Sequence, residues 1–280
     1  MNGLNWYISQ FPEALFPFSV DVVKRMSSHI AYGYDVMQKK SVVICGLARD
    51  LGKTAQYSVA RLERLGSMFK NYRVIIYEND SSDSTLTELF RWQKRNPNVV
   101  ILTEKLGNPK REGISNERKK EMAYYRNKYL KEISNYDHDY VIVYDTDLTG
   151  GFSYEGICHT FGCQDWDVMA SNGLLFRPNK NGDIDRFFYD TWAFRLPGQE
   201  EPKITEQNDI YYKRGDPLVR VDSAFGGLAI YKSECIKGTK YTNKDCDHVT
   251  LHDQIKKNGF SIYLNPNQIT LYTNTGYNIL

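Results

Sequence analysis

The stretch YVIVYDTD, residues 140–147, runs five apolar or aromatic residues directly into two carboxylates that are separated by one residue. Because the apolar run is short and rich in β-branched side chains, it predicts a buried strand rather than a helix. Asp145 and Asp147 are therefore expected at the carboxyl end of that strand, where open α/β sheets bind their ligands. Two carboxylates there suit a hard divalent cation shared with a substrate phosphate, although an isolated pair of this kind also caps turns and helices.

The composition is that of an ordinary folded protein. The chain has 280 residues, 41% of them hydrophobic and 25% charged, with a net charge of +2. This balance gives no reason to expect nucleic acid or a membrane surface as a partner. The five cysteines are odd in number and irregularly spaced, which argues against a disulfide framework. No signal-peptide pattern and no membrane span is seen, because no segment approaches the roughly 20 consecutive apolar residues of a span. We expect a cytoplasmic protein.

Strand and helix patterns alternate through the first half of the chain. This alternation predicts right-handed βαβ units and a mostly parallel sheet. The predicted strands are residues 41–48, 72–77 and 99–103, and the predicted helices are residues 56–70, 84–95 and 115–133.

The pattern weakens after Asp147. Short predicted strands at residues 167–171, 219–231 and 260–264 are separated by loops rich in Gly, Pro and Asn. They are expected to complete the sheet and to build one wall of a cleft. The sequence shows no internal repeat and no obvious linker. We therefore expect one domain at residues 41–280, preceded by an N-terminal packing segment at residues 1–40.

A second polar strand end lies at residues 77–85, YENDSSDST. An acidic residue at the end of such a strand is well placed to accept hydrogen bonds from ribose hydroxyls, which makes Glu78 and Asn79 candidate binding residues. The alternative is a capped turn, in which Ser82, Asp83 or Ser84 caps the following helix.

The stretch GLARDLGKT at residues 46–54 has some likeness to a phosphate-binding P-loop of an NTPase or kinase. A P-loop has four residues between its glycines, so that backbone N–H groups curl around the phosphate. This chain has five, three of them bulky, and the register of the cradle is lost. A Rossmann G-x-G-x-x-G pattern is also absent, which disfavours a nicotinamide enzyme.

Three strand ends carry a resemblance to a known family: residues 48–50 (ARD), 77–85 and 145–147 (DTD). Together they resemble a GT-A-type glycosyltransferase. The pattern Tyr-Glu-Asn-x-Ser-x-Asp-x-Thr at residues 77–85 resembles, more narrowly, the cryptococcal capsule-associated mannosyltransferase family and its bacterial and viral relatives. The resemblance covers roughly residues 40–266, and its further matching positions are Arg118, Arg126, Asn127, residues 225–231 (FGGLAIY) and residues 246–248 (CDH).

The resemblance implies a single GT-A-like, Rossmann-like α/β domain with a mostly parallel central sheet flanked by helices. Residues 41–150 would form a nucleotide-binding half and residues 151–280 an acceptor half. The implied enzyme is metal-dependent and moves a sugar from a nucleoside-diphosphate-sugar, UDP-sugar first and GDP-sugar next, to a hydroxyl of an oligosaccharide or glycan acceptor. A non-catalytic nucleotide-sugar or glycan-binding module of the same fold stays open as the alternative.

The resemblance also implies a role for individual residues. Asp145 and Asp147 would hold Mn²⁺ or Mg²⁺ beside the donor diphosphate. Arg118 and Arg126 would reach the phosphates or the donor sugar, or else form a solvated basic face. Trp192 is the best tryptophan candidate for stacking on a sugar, with a role in the core as the alternative. The donor pocket would be completed by Ala48, Arg49, Glu78, Asn79, Asp83, Gly226 and Gly227, the two glycines by a close approach of backbone to ligand or, alternatively, as a tight packing contact.

The stretch CDHVTLH at residues 246–252 predicts the start of a helix that faces the same site. His248 is a candidate additional metal ligand, with a structural hydrogen-bonding histidine as the alternative. Transfer with inversion needs a carboxylate to accept the acceptor proton, whereas a retaining reaction has no obligatory base of this kind. Asp247 is the first candidate for this base and Asp222 the second, and the alternative for Asp247 is an N-cap of the helix.

Overall fold

The structure is a computed structural model that describes residues 12–52, 54–178, 181–200 and 210–273. Strand β1 (Ser41–Ala48) pairs in parallel with β2 (Asn71–Asn79) on one side and with β4 (Tyr140–Asp145) on the other, and β3 (Val99–Glu104) pairs in parallel with β2. These strands confirm the predicted alternation. The helices that connect them are α2 (Thr54–Ser67), α3 (Thr85–Arg95) and α4 (Asn116–Ile133).

The second half of the chain extends the same sheet. Its elements are β5 (Gly151–Phe152), α5 (Tyr154–Gly162), β6 (Val168–Pro178), β7 (Ile184–Phe188), β8 (Val219–Arg220), β9 (Leu228–Lys232), α6 (Ser233–Ile236), α7 (Asp247–Lys257) and β10 (Ile262–Thr273). In the described residues the sheet has ten strands in the order β3-β2-β1-β4-β9-β6-β10-β5, with β7 on β6 and β8 on β10. The four longest pairings, β1–β2, β1–β4, β2–β3 and β6–β10, are parallel.

Three predicted strands differ from the structure. The strand predicted at residues 167–171 continues as β6 to Pro178. The single strand predicted at residues 219–231 is wrong, because β8 ends at Arg220 and β9 begins only at Leu228, after a turn at two glycines. The strand predicted at residues 260–264 continues as β10 to Thr273, through a register shift between Asn265 and Ile269. Pro266 lies in that shift, where its missing N–H interrupts no ladder hydrogen bond.

Both faces of the central strands are buried. Ile142 and Tyr144 of β4 pack into the core on one face of the sheet, and Val141 and Val143 pack into the core on the other. This double burial explains the unbroken apolar run in the sequence before Asp145. Among the described residues, none of the helices combines the length and apolar character that a membrane crossing requires.

Helix α1 (Val20–Met37) lies in the predicted N-terminal packing segment and packs against α5. The two helices meet backbone to backbone, because a Cβ on Gly33 would lie 1.8 Å from the carbonyl oxygen of Cys158, and one on Gly162 would lie 2.4 Å from that of His29. Residues 1–11 of the predicted segment lie outside the described residues.

Candidate active site

A cleft of about 430 Å³ opens at the carboxyl ends of β1, β2 and β4. Open α/β sheets bind ligands beyond the carboxyl ends of their strands, at the point where the strand order reverses. In this sheet the order reverses between β1 and β4. Both predicted halves of the chain contribute to its walls. The sequence-predicted residues that line it are Ala48, Arg49, Asn79, Arg118, Arg126, Asp145, Asp147, Asp247, His248 and Trp192.

Asp145, the last residue of β4, lies at the centre of the cleft. Its backbone N–H donates to the carbonyl oxygen of Gly227 (2.9 Å), and the hydroxyl of Tyr189 donates to its Oδ2 (3.1 Å). The guanidinium of Arg126 is 3.5 Å from its Oδ1. Burial raises the pKa of Asp145 to about 8, and the nearby charges of Asp147 and Asp190 act in the same direction against the opposing charge of Arg126.

Asp147 and Asp190 add two further carboxylates to the cleft. The side chain of Asp147 is exposed to the cleft, whose walls shield it from bulk water and raise its pKa. Burial raises the pKa of Asp190 to about 6, and the charge of Asp247 adds to the effect. No sequence pattern assigned a role to Asp190, whose backbone has the left-handed φ of 69° that only the folded loop reveals.

Asp247 is the first residue of α7 and forms an ion pair with Arg126. Cys246 occupies the N-cap position, so the interpretation of Asp247 as the N-cap is wrong. Arg126 is itself buried, at 4% exposure, and lies between the carboxylates of Asp145 and Asp247. The two carboxylates that the sequence placed on β4 and α7 are thus joined by one cation from α4.

His248 faces the cleft as a neutral imidazole. Its ring stacks on Phe225 with centroids 3.7 Å apart, and burial lowers its pKa well below the usual range, with Arg126 and His252 acting in the same direction. Neither ring nitrogen has a hydrogen-bond partner within the described part of the chain. A buried imidazole of this kind has a lone pair left for a ligand.

The acidic end of the cleft fits a divalent cation. Burial in the cleft raises the pKa values of Asp145, Asp147 and Asp190 because it penalises the charged carboxylates, and a bound cation would offset that penalty. Carboxylate oxygens and one imidazole suit Mn²⁺ or Mg²⁺. Asp145, Asp147 and His248 do not gather within 4.8 Å of one another in the described structure, so the three do not form a preassembled metal site there.

The cleft is also lined by basic side chains, Arg49, Lys110, Arg111 and Arg118, which together form its basic wall. Arg118, on the first turn of α4, lies 5.6 Å from the centre of the Trp192 ring, and Lys110 and Arg111 line the same wall. Arg49 is held beside them by a hydrogen bond from its guanidinium to the carbonyl oxygen of Asn108 (2.7 Å). A basic wall in a cleft with an acidic centre suits an anion bound through a cation.

The structure does not bring Glu78 or Asp83 to the cleft, contrary to the sequence prediction. Both carboxylate oxygens of Glu78 are already used, one by the N–H of Ser81 (2.9 Å) and one by the hydroxyl of Thr103 (2.7 Å). Asp83 accepts from the backbone N–H groups of Thr85 (2.8 Å) and Gly52 (2.7 Å), and Ser84 occupies the N-cap position of α3. Asn79, the neighbour of Glu78, lines the cleft instead.

Gly226, Gly227 and Asp222 also lie off the cleft. The glycines have φ values of 61° and 80°, and a Cβ on Gly226 would lie 2.2 Å from the carbonyl oxygen of Ser171, so they form a packing contact that positions Asp145. Asp222 pairs with Lys256 (2.8 Å) and accepts from the N–H of Gly198 (3.0 Å). Burial raises its pKa, but these two hydrogen bonds outweigh burial and hold the pKa below its usual range.

The described residues of the stretch 46–54 do not form a P-loop. Gly46 to Ala48 belong to β1, and a Cβ on Gly46 would lie 2.8 Å from the carbonyl oxygen of Tyr144, so this glycine serves strand packing. Lys53 lies outside the described residues. The structure thus agrees with the spacing argument against a nucleoside-triphosphate cradle.

Comparison with known proteins shows similarity in structure but not in sequence. No protein-family model matches the chain, and no curated protein matches it in a sequence search. Among solved structures, the mannosyltransferase PcManGT from Pyrobaculum calidifontis, in complex with GDP-Man and Mn²⁺, has a TM-score of 0.50 at 12% identity, over 96% of this chain and 68% of that one. The fold is that of a GT-A glycosyltransferase.

Two further structures are similar at lower scores. GalNAc-T7 with UDP, GalNAc and Mn²⁺ has a TM-score of 0.49 at 10% identity, over 95% of this chain and 54% of that one. S. aureus TarS 1-349 in complex with UDP-GlcNAc has a TM-score of 0.47 at 14% identity, over 84% of this chain and 58% of that one. The chain therefore spans little more than half of each of these two.

Proposed function

We propose that the protein is a metal-dependent glycosyltransferase. It would move a sugar from a nucleoside-diphosphate-sugar, UDP-sugar first and GDP-sugar next, to a hydroxyl of a glycan acceptor. The observation that carries the proposal is that Asp145, Asp147 and Asp190 line one cleft together with the unpartnered imidazole of His248 and with a basic wall. The complex of the Pyrobaculum mannosyltransferase with GDP-Man and Mn²⁺ supports a donor and a cation of this kind.

The acidic centre would hold Mn²⁺ or Mg²⁺ through Asp145 and Asp147, with His248 as an additional ligand. When bound, the cation neutralises charge on the diphosphate that leaves with the nucleoside. Arg126 has a separate task in this proposal. Buried between Asp145 and Asp247, it keeps both carboxylates fixed while the cleft is empty of substrate.

The donor would lie along the basic wall. Ala48, Arg49 and Asn79 come from the ends of β1 and β2 and would contact the nucleoside, in the predicted nucleotide-binding half at residues 41–150. Arg118 would reach the phosphates from α4, and Trp192 from the predicted acceptor half, residues 151–280, would cover a sugar. The aromatic face and the charged wall supply the two contacts that a nucleotide-sugar needs.

Asp247 is the proposed base of an inverting transfer. Its carboxylate would accept the proton of the acceptor hydroxyl as that oxygen bonds to the anomeric carbon of the donor. The bond from that carbon to the phosphate oxygen breaks, and the nucleoside diphosphate leaves with the electron pair. Asp222 is set aside for this role, because its pairing with Lys256 lies away from the cleft.

A donor panel tests the proposal. Purified protein is incubated with UDP- and GDP-sugars, Mn²⁺ and a mixture of oligosaccharide acceptors, and released nucleoside diphosphate and glycosylated product are measured by chromatography and mass spectrometry. We expect Mn²⁺-dependent release that Asp147→Asn abolishes and that Asp222→Asn, a matched carboxylate off the cleft, retains. Nucleotide binding without any sugar release would identify the non-catalytic binding module, and neither binding nor release would refute the proposal.

A further inference from the structure

A second group of metal-binding side chains lies between α1 and α5. It consists of His29 on α1, His159 on α5 and Cys163 at the C-cap of α5. One donor atom from each residue lies within 4.8 Å of the other two, and no other set of three His, Cys, Asp or Glu residues in the described ranges gathers so closely. None of these residues lines the cleft.

The close approach of the two helices brings these side chains together. Gly33 and Gly162 allow the backbones of α1 and α5 to come into contact. The centroids of the His29 and His159 imidazole rings are then 4.9 Å apart. On the same side of α5, the Sγ of Cys163 is 3.7 Å from Nδ1 of His159. The arrangement is fixed by helix packing rather than by flexible side chains on the surface.

His159 and His29 each offer a ring nitrogen to a metal ion. Asn265 Nδ2 donates to Nδ1 of His159 (3.1 Å), so this nitrogen carries a lone pair, and a metal ion bound there would replace the Asn265 hydrogen bond. The orientation of that amide is fixed, because its Oδ1 accepts from the N–H of Asn267 (2.9 Å) and its Nδ2 also donates to the hydroxyl of Thr160 (2.8 Å). Nε2 of His29 is buried and has no partner in the described residues.

The spacing agrees with tetrahedral coordination. A zinc ion about 2.3 Å from a thiolate and about 2.0 Å from an imidazole nitrogen holds the two ligand atoms about 3.5 Å apart. The observed separation between Cys163 Sγ and His159 Nδ1 is 3.7 Å.

We propose that His29, His159 and Cys163 bind a thiophilic divalent metal ion, with Zn²⁺ as its representative and water in the fourth position. Thiolate and imidazole ligands select against Mn²⁺ and Mg²⁺, so this site is chemically distinct from the carboxylates of the cleft. Because its ligands come from α1 and α5, the ion fastens the N-terminal helix to the sheet domain. The proposal does not depend on the function of the cleft.

Cobalt substitution tests the site directly, on the full chain after removal of any affinity tag. A thiolate ligand gives Co²⁺ a charge-transfer absorption in the near ultraviolet, which carboxylate ligands do not give. We expect this band in the wild-type protein, and we expect Cys163→Ala and His29→Gln each to lose it. Cys158→Ala is the matched control, because Cys158 is a buried cysteine of the same helix outside the group, and it should keep the band.

Metal content and melting temperature give an independent test of the proposed zinc site. After exposure to Zn²⁺ and gel filtration, the wild-type chain should retain about one equivalent, and a chelator should lower its Tm, since a ligand of the folded state stabilises that state. Cys163→Ala should retain no zinc above background and show no chelator effect. Absence of the cobalt thiolate band in wild-type protein, or zinc retention that is equal in Cys163→Ala and Cys158→Ala, would overturn the proposal.

Discussion

Replacing Asp145 by Asn is expected to make the metal-free protein more stable at alkaline pH, although it removes a central residue of the cleft. The reason is the raised pKa of Asp145, about 8 against an ordinary 3.8, caused first by burial and then by the charges of Asp147 and Asp190. Ionising this carboxyl in the folded protein works against that environment. Asn keeps an oxygen that can accept the hydrogen bond from Tyr189 but carries no charge.

The sign and the size follow from the titration. A carboxyl whose pKa is raised by folding contributes full stability below its unfolded pKa and loses it as the pH rises through the folded pKa. For Asp145 that window runs from 3.8 to about 8. At about 1.4 kcal/mol per pKa unit, moving from about pH 5 to about pH 8.5 lowers the free energy of unfolding by at most about 4 kcal/mol. Asp147 and Asp190 are coupled to this titration, so we expect the charge of Asp145 alone to account for about 2–4 kcal/mol of the loss in free energy of unfolding.

Urea denaturation with a chelator present, at several pH values across this window, measures the effect. The stability of Asp145→Asn relative to wild type should rise by about 2–4 kcal/mol toward alkaline pH. Asp167→Asn is the matched control. Burial raises the pKa of Asp167, but its hydrogen bonds from Ser261 and Lys232 outweigh burial and lower it, so that variant should differ from wild type by a nearly constant amount. Parallel pH profiles for Asp145→Asn and wild type would refute the reasoning.

Three further predictions concern other parts of the site. Asp147→Asn should abolish Mn²⁺-dependent donor binding in calorimetry with an unchanged circular dichroism spectrum; retained binding would contradict its assignment. Asp247→Asn should lower turnover by about 10²–10⁴ with donor affinity unchanged, and near-normal turnover would point to a retaining reaction, which NMR of the product's anomeric proton can establish. Gly226→Ala should lower the free energy of unfolding by about 2–5 kcal/mol in urea titration, against about 1–2 kcal/mol for Gly238→Ala. A Cβ on Gly226 would strike the carbonyl of Ser171, whereas Gly238, also at positive φ, opens to free space, and equal losses would exclude the steric explanation.

The sequence predicts the strands of the first half well because burial on both faces leaves continuous apolar runs. Strand β1 has the predicted bounds, and β4 ends at Asp145 as expected. Strand β10 was harder to predict, because its second part contains polar residues that are fully buried. Asn265, Asn267 and Gln268 are 0% exposed and hydrogen-bonded inside the protein, and no hydrophobic period marks them as a strand.

The site was predictable as a region but not residue by residue. The sequence predicts both Glu78 and Asn79 as binding residues, but neighbouring side chains of a strand point to opposite faces, and the sequence does not show which of the two faces the cleft. The structure places Asn79 in the cleft and turns Glu78 inward to Ser81 and Thr103. The contribution of Asp190 depends on a left-handed backbone conformation in a long loop, which no local pattern specifies.

The most direct test of the proposed function is calorimetric titration of the protein with UDP and with GDP, each in the presence of Mn²⁺ and again with a chelator. The acidic centre and basic wall predict that at least one of the two nucleotides binds with Mn²⁺ and that the chelator weakens this binding by about tenfold or more, equivalent to about 1.4 kcal/mol. Equal affinity with and without Mn²⁺, or no binding of either nucleotide in its presence, would contradict a metal-dependent nucleotide-sugar site in this cleft.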